Sequence, residues 1–200
     1  MYRFYLAAMD MLPGAALMAP IFMLLNRIYF HNPQKSILYY LFSCYLSVVY
    51  VLVGLPNITY IRPELNLNLI PILGIAADLK NSLLNILLFI PLGIALPAMW
   101  NKYKTPKNTL CFGFGISLAI ELAQILTYRA TDINDLITNT LGSLIGFLFA
   151  KALLHIFSAA KHFANHTQDK ELTAVLSIVI LVMFFIYPFV SAALWDLLLA

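Results

Sequence analysis

Glu121 is an acid set among apolar residues, and other polar side chains follow its spacing. Around it, Ser117, Glu121, Gln124 and Tyr128 are spaced 4, 3 and 4. At ~100° per residue these positions share one face of a helix. Asp135, Asn139, Gly142 and Gly146 repeat the spacing, as do Asp78, Ser82, Asn85 and Phe89. Three helices therefore each carry one stripe that can take part in proton transfer or hydrogen bonding. An ionised acid at the centre of a membrane helix costs ~2.5–3.5 kcal/mol even on the lenient insertion scale. Glu121 is thus expected to turn inward, with Asn85, Gln124, Asn139, Arg129 or a proton of its own as partner. Depth agrees: Glu121 lies seven residues from Tyr128 and Asn85 seven from Asp78, ~10 Å along each helix. Asn139 is one turn inside Asp135. The candidate binding residues are Asn85, Glu121, Gln124, Arg129, Asp132, Asp135 and Asn139, with Arg129, Asp132 and Asp135 as the rim.

Structural roles compete with each of these. Amides in membrane bundles also act as interhelical glue, worth ~0.6 kcal/mol each, and Asn85 and Gln124 fit that role. Asp132 fits a helix N-cap, with Asp135 three positions on. Arg129 fits an outer anchor or a partner of Asp132. Gly142-x-x-x-Gly146 reads as a close helix contact. An oxygen-ligated cation held by Asp132, Asp135 and Glu121 is a further alternative. No metal site is expected, nor any cofactor. His31, His155, His162 and His166 fall toward the opposite side, and no zinc or Ser-His-Asp pattern is present.

The elements that must position these residues follow from composition. Of 200 residues, 62% are apolar and 10% charged, against ~25% charge in a soluble domain. Mean hydropathy is +0.86. The expected fold is an all-α polytopic membrane protein with about six transmembrane helices in one bundle. Spans of ~20 residues are expected at about Phe4–Ile28 (broken by Pro13 and Pro20), Ser36–Leu55, Leu79–Trp100, Thr109–Tyr128, Asp135–Phe157 and Leu172–Leu197 (kinked by Pro188). Pro91, Gly93 and Pro97 are expected to bend the third. Residues 1–35 read as a first span and loop, 36–158 as the central membrane domain, and 159–200 as a loop and accessory span. The first span is expected to be retained rather than cleaved as a signal peptide.

Loop charge sets the expected orientation. One side holds Arg27, Lys35, Lys102, Lys104, Lys107, Lys151, Lys161 and Lys170, the other only Arg3, Arg62, Lys80 and Arg129. The richer side belongs in the cytoplasm, which puts both termini outside. No basic, aromatic-interleaved surface marks a nucleic-acid partner. Cys44 and Cys111 read as small packing residues rather than a disulfide. The loop from Pro56 to Ala77 is long and apolar, and reads either as a plain interfacial loop or as a cap over the outer ends of the helices.

Asn68-Leu69-Ile70-Pro71, Asn85-Ile86-Leu87-Leu88-Phe89-Ile90-Pro91-Leu92-Gly93, and Ser117-x3-Glu121-x2-Gln124 with Arg129, Asp132, Asp135 and Asn139-x2-Gly142-x3-Gly146 together resemble the VanZ-like membrane family. The resemblance runs from about Ile37 to Lys151. Ile72 departs from the Phe common after the proline, the segment between Pro71 and Asn85 is short, and the sixth span lies outside. The resemblance implies a bacterial cytoplasmic-membrane protein of the cell envelope, with teicoplanin tolerance as the founding member's trait. It supplies no reaction. Three functions stay open. One is binding of a polar or lipid-linked envelope group, or a glycopeptide, at the outer leaflet. The second is an intramembrane enzyme on a lipid substrate, with Glu121 or Asp135 as general base. The third is a structural or assembly subunit.

Overall fold

The computed structural model describes residues 2–68, 70, 78–127, 129–156 and 169–199. Leu69, Pro71, Ile72, Ala77, Tyr128, Phe157, Lys161, His162 and His166, named above, lie outside these residues.

The described chain is helical almost throughout. Helix α1 (Tyr2–Leu25) runs into a π-helical turn (Asn26–Phe30) and is followed by α2 (Pro33–Leu52). Next come strand β1 (Leu67–Asn68), helix α3 (Leu79–Met99), a 3-10 turn (Asn101–Lys104) and helix α4 (Pro106–Gln124). Strand β2 (Thr131–Asp132) leads into helix α5 (Ile133–Ile156). Helix α6 (Asp169–Leu181), a π-turn (Val182–Ile186) and α7 (Tyr187–Leu199) form one last long helix. Among the described residues, five stretches are long and apolar enough to cross a membrane: Leu12–Phe30, Pro33–Leu52, Leu79–Met99, Ile133–Leu153 and Lys170–Leu197. This is an all-α, multi-pass membrane fold.

Two expectations need correction, and a third gains a detail. The fourth expected span is helix α4, but it is not among the five and ends at Gln124 rather than Tyr128. Thr109, Gly113, Ser117, Glu121 and Gln124 dilute its apolar character, and all five are buried. Pro13 and Pro20 do not break α1, which continues through both; membrane helices tolerate proline because neighbouring groups re-satisfy the freed carbonyls. The disturbance expected at Pro188 is a π-turn just upstream. Pro188 has no N–H to give the Phe184 carbonyl. That carbonyl instead accepts the backbone N–H of Ile58 at 3.1 Å.

The chain divides into two compact units, residues 1–62 with 172–200, and residues 63–171. In the first, α2 packs on α1 around Met18, Phe22, Tyr39, Phe42 and Leu46. The Ser36 hydroxyl crosses between them to donate to the Phe22 carbonyl at 2.9 Å. The second unit carries the polar stripes. There α3 and α5 pack backbone to backbone: a Cβ on Gly93 would lie 2.1 Å from the Ser143 carbonyl oxygen, on Gly142 2.4 Å from that of Ile86, and on Gly146 2.1 Å from that of Ile90. Only glycine permits this approach, and small residues at such contacts are how membrane helices associate. Helix α4 closes on the same face of α5 where Gly113 meets Ser143. Phe89, Leu92, Leu96, Trp100 and Phe147 fill the rest of the interior.

Candidate functional site

The second unit gathers its polar residues where α3 and α5 begin and α4 ends. Two helix N-termini meet there, and N-termini favour negative charge. Acids occupy both. The Asp78 carboxylate caps α3 by accepting the Asn81 N–H at 3.2 Å. The Asp132 carboxylate accepts the Asn134 N–H at 2.8 Å in the first turn of α5.

Glu121 is 3% exposed. It therefore faces inward, as its cost in hydrocarbon demands. Its Oε2 accepts the backbone N–H of Asp132 at 2.8 Å, and its backbone carbonyl accepts the Thr131 hydroxyl at 3.0 Å. These two bonds fasten the end of α4 to the chain entering α5. One turn earlier on α4, the Ser117 hydroxyl accepts the Asn139 amide N–H at 3.0 Å. Glu121 and Ser117 on α4 thus oppose Asp135 and Asn139 on α5, each pair one turn apart. From α3, Asn85 brings its amide close enough to Asp135 to favour the charged carboxylate. Arg129 is exposed at the rim, and its charge acts on both Glu121 and Asp135.

A strap lies over this end. The Glu64 N–H donates to the Ile125 carbonyl at 2.9 Å, and the Asn66 carbonyl accepts the Thr131 N–H at 2.9 Å. Strand β1 pairs in parallel with β2, Leu67 opposite Thr131 and Asn68 opposite Asp132. The Asn68 amide donates to Asp132 Oδ2 at 2.9 Å. The Asn134 amide donates to both Asp132 Oδ1 at 2.7 Å and the Ile70 carbonyl at 3.1 Å.

The seven expected site residues fall into distinct places. Asn85, Glu121, Asp135 and Asn139 converge from three helices. Gln124 is buried, and its backbone carbonyl accepts the Thr127 N–H and hydroxyl, closing the end of α4. Arg129 stands at the edge. Both Asp132 carboxylate oxygens are engaged by Asn68 and Asn134, so Asp132 positions the strap and the start of α5. The trio proposed for a cation, Asp132, Asp135 and Glu121, does not form one: no three His, Cys, Asp or Glu among the described residues come close enough to hold a metal ion. Asn134 and Thr131 were missed because they lie off the 4-3-4 stripe. The readable signal was Asp132-x-Asn134, in which an Asx side chain captures the amide two residues on.

The VanZ/LLP1 family model matches residues 37–158, more than half of the sequence and every residue of this cluster. The chain belongs to the VanZ/LLP1 family. Protein VanZ from Enterococcus faecium is 28% identical over 124 residues, covering 61% of this chain and 71% of that protein. No solved structure matches. The VanZ/LLP1 segment begins within α2, at Ile37 in the first compact unit, and takes in all the described residues of the strap and of the three converging helices.

Proposed function

We propose that this protein acts at the outer leaflet of the bacterial cytoplasmic membrane by binding a polar group of an envelope component. The bound molecule is a lipid-linked precursor, a membrane lipid or a glycopeptide of the teicoplanin type, and reduced susceptibility to such glycopeptides is the outcome. The observation that carries this reading is the buried Glu121 carboxylate, held by a backbone N–H, acted on by the charge of Asp135 and one turn from the Ser117–Asn139 bond, within the VanZ/LLP1 segment. Ionisable groups inside a membrane bundle are expensive and mark functional sites. Arg129 at the rim supplies a guanidinium for a carboxylate or phosphate of the same ligand. The basic-residue bias of the loops supports the assignment of this end to the outside.

Expression in a teicoplanin-susceptible bacterium tests the reading. Wild type is expected to raise the inhibitory concentration, and Glu121→Gln, Arg129→Ala and Asp135→Ala to return it toward the empty-vector level. Equal susceptibility in all strains, at equal membrane protein levels, refutes it.

A further inference from the structure

The buried end of the site holds a hydrogen-bond acceptor that no donor among the described residues meets. Asn139 is 3% exposed, its amide N–H is committed to Ser117, and its Oδ1 has no hydrogen-bond partner among the described residues. A buried acceptor without a partner carries the full penalty of its desolvation. One turn away on the same helix stands Asp135, and across from it on α4 stands Glu121. Asp78 and Asp132 add their negative charge to Asp135 from the caps of α3 and α5. Among the cations at this end, the exposed Arg129 is the one whose charge reaches Glu121 and Asp135, while Lys80 stands exposed in the first turn of α3. The two helix N-termini, which would otherwise attract an anion, are already capped by Asp78 and Asp132. A phosphate or carboxylate entering here would add negative charge beside Glu121 and Asp135 and leave Asn139 Oδ1 unpartnered.

We infer that the inner part of this site takes a primary ammonium group, held between the Glu121 and Asp135 carboxylates with Asn139 Oδ1 as third acceptor. An ammonium has three donors and no acceptor, matching three acceptors drawn from two facing helices. Its charge offsets the acidic excess where the surrounding dielectric is low. The inference rests on the binding function proposed above and narrows its ligand to an amine-bearing molecule. A zwitterion fits the whole: its anionic part meets Arg129 at the rim and its ammonium goes inward. Both an aminophospholipid headgroup and a free amino sugar or amino-terminal group have this chemistry.

The test uses the full chain purified in detergent, with thermal unfolding followed on titration with defined probes. Short-chain phosphatidylethanolamine is compared with its N-acetylated form and with phosphatidylglycerol, and glucosamine with N-acetylglucosamine. The expected result is that one or both amines raise the unfolding temperature while the acetylated and anionic probes do not. Stabilisation by the lipid alone identifies a headgroup site; stabilisation by both identifies a site for any primary amine. Asp135→Asn keeps the side-chain shape and is expected to weaken amine binding about tenfold, the scale of one lost charge-assisted bond. Asn139→Leu is the second variant, removing the unpartnered oxygen. Equal stabilisation by free and acetylated amines, preference for phosphatidylglycerol, or unchanged amine affinity in Asp135→Asn would overturn the inference. If the teicoplanin phenotype persists without amine selectivity, only the ligand class is wrong; if both are absent, the binding function fails as well.

Discussion

Replacing Gly146 by alanine puts one methyl group into a seam between α3 and α5 that has no room for it. The new Cβ would lie 2.1 Å from the Ile90 carbonyl oxygen and 2.9 Å from the Gly93 Cα, both backbone atoms that cannot swing aside. Ordinary contact begins at 3.4 Å, so the helices must part by about 1.3 Å at this point. Overpacking of a close-fitted interior costs about 1–3 kcal/mol. Alanine returns about 1 kcal/mol of helix propensity, leaving a net loss of roughly 0–2 kcal/mol for stability alone. Gly115 supplies the control: it is helical, and a Cβ there meets nothing within 4 Å, so Gly115→Ala is expected to be neutral or stabilising. The assay is thermal or denaturant unfolding of both variants in the same detergent. The parting also carries Asn85 away from Asp135, so Gly146→Ala is expected to lose more ligand-dependent stabilisation than its own stability change accounts for. Indistinguishable behaviour of the two variants, in stability and in ligand response, would refute the backbone-to-backbone seam.

Glu121 separates charge from fold: Glu121→Gln retains an acceptor for the Asp132 N–H and is expected to keep its stability while losing function. Glu121→Leu strands that N–H and is expected to unfold more easily by about 1–3 kcal/mol, read by thermal denaturation. Asp132→Ala removes the cap of α5 and the anchor of Asn68, with an expected loss of at least about 1 kcal/mol. Faster hydrogen exchange across residues 133–138 than in Asp132→Asn is the accompanying signature. Pro188→Ala gives the last helix an N–H that competes for the Phe184 carbonyl. The Ile58 amide is then expected to lose exchange protection while the helix around residues 182–188 gains it.

How much of this was readable beforehand depends on the range of the forces involved. The inward turn of Glu121 follows from the hostility of hydrocarbon to charge, a rule that acts on a single residue. The approach of α5 to α3 was legible because Gly142 and Gly146 carry the local spacing of a contact seam. The alignment of Asn85, Asp135 and Asn139 followed from helical periodicity. Asn68 and Asp132, by contrast, are 64 residues apart, and nothing in either neighbourhood says that they pair. The end of α4 was misjudged by four residues because apolar Ile125 and Leu126 prolong the hydropathy of the helix. The carbonyl of Gln124, bonded by Thr127, turns the chain away first. The prolines of α1 misled for another reason: rules for helix breaking come from water, where a freed carbonyl has an easy alternative outside the helix.

The strap over the site is tied down mainly by its own peptide groups, through the Glu64 N–H, the Asn66 carbonyl and the Ile70 carbonyl. Peptide groups are the same whatever side chains they carry. The outward-facing surface of this segment can therefore be rewritten, residue by residue, without loosening its hold on the helices beneath. Changes confined to those outward side chains are borne by the strap alone, because the bonds that hold it run through atoms every residue shares.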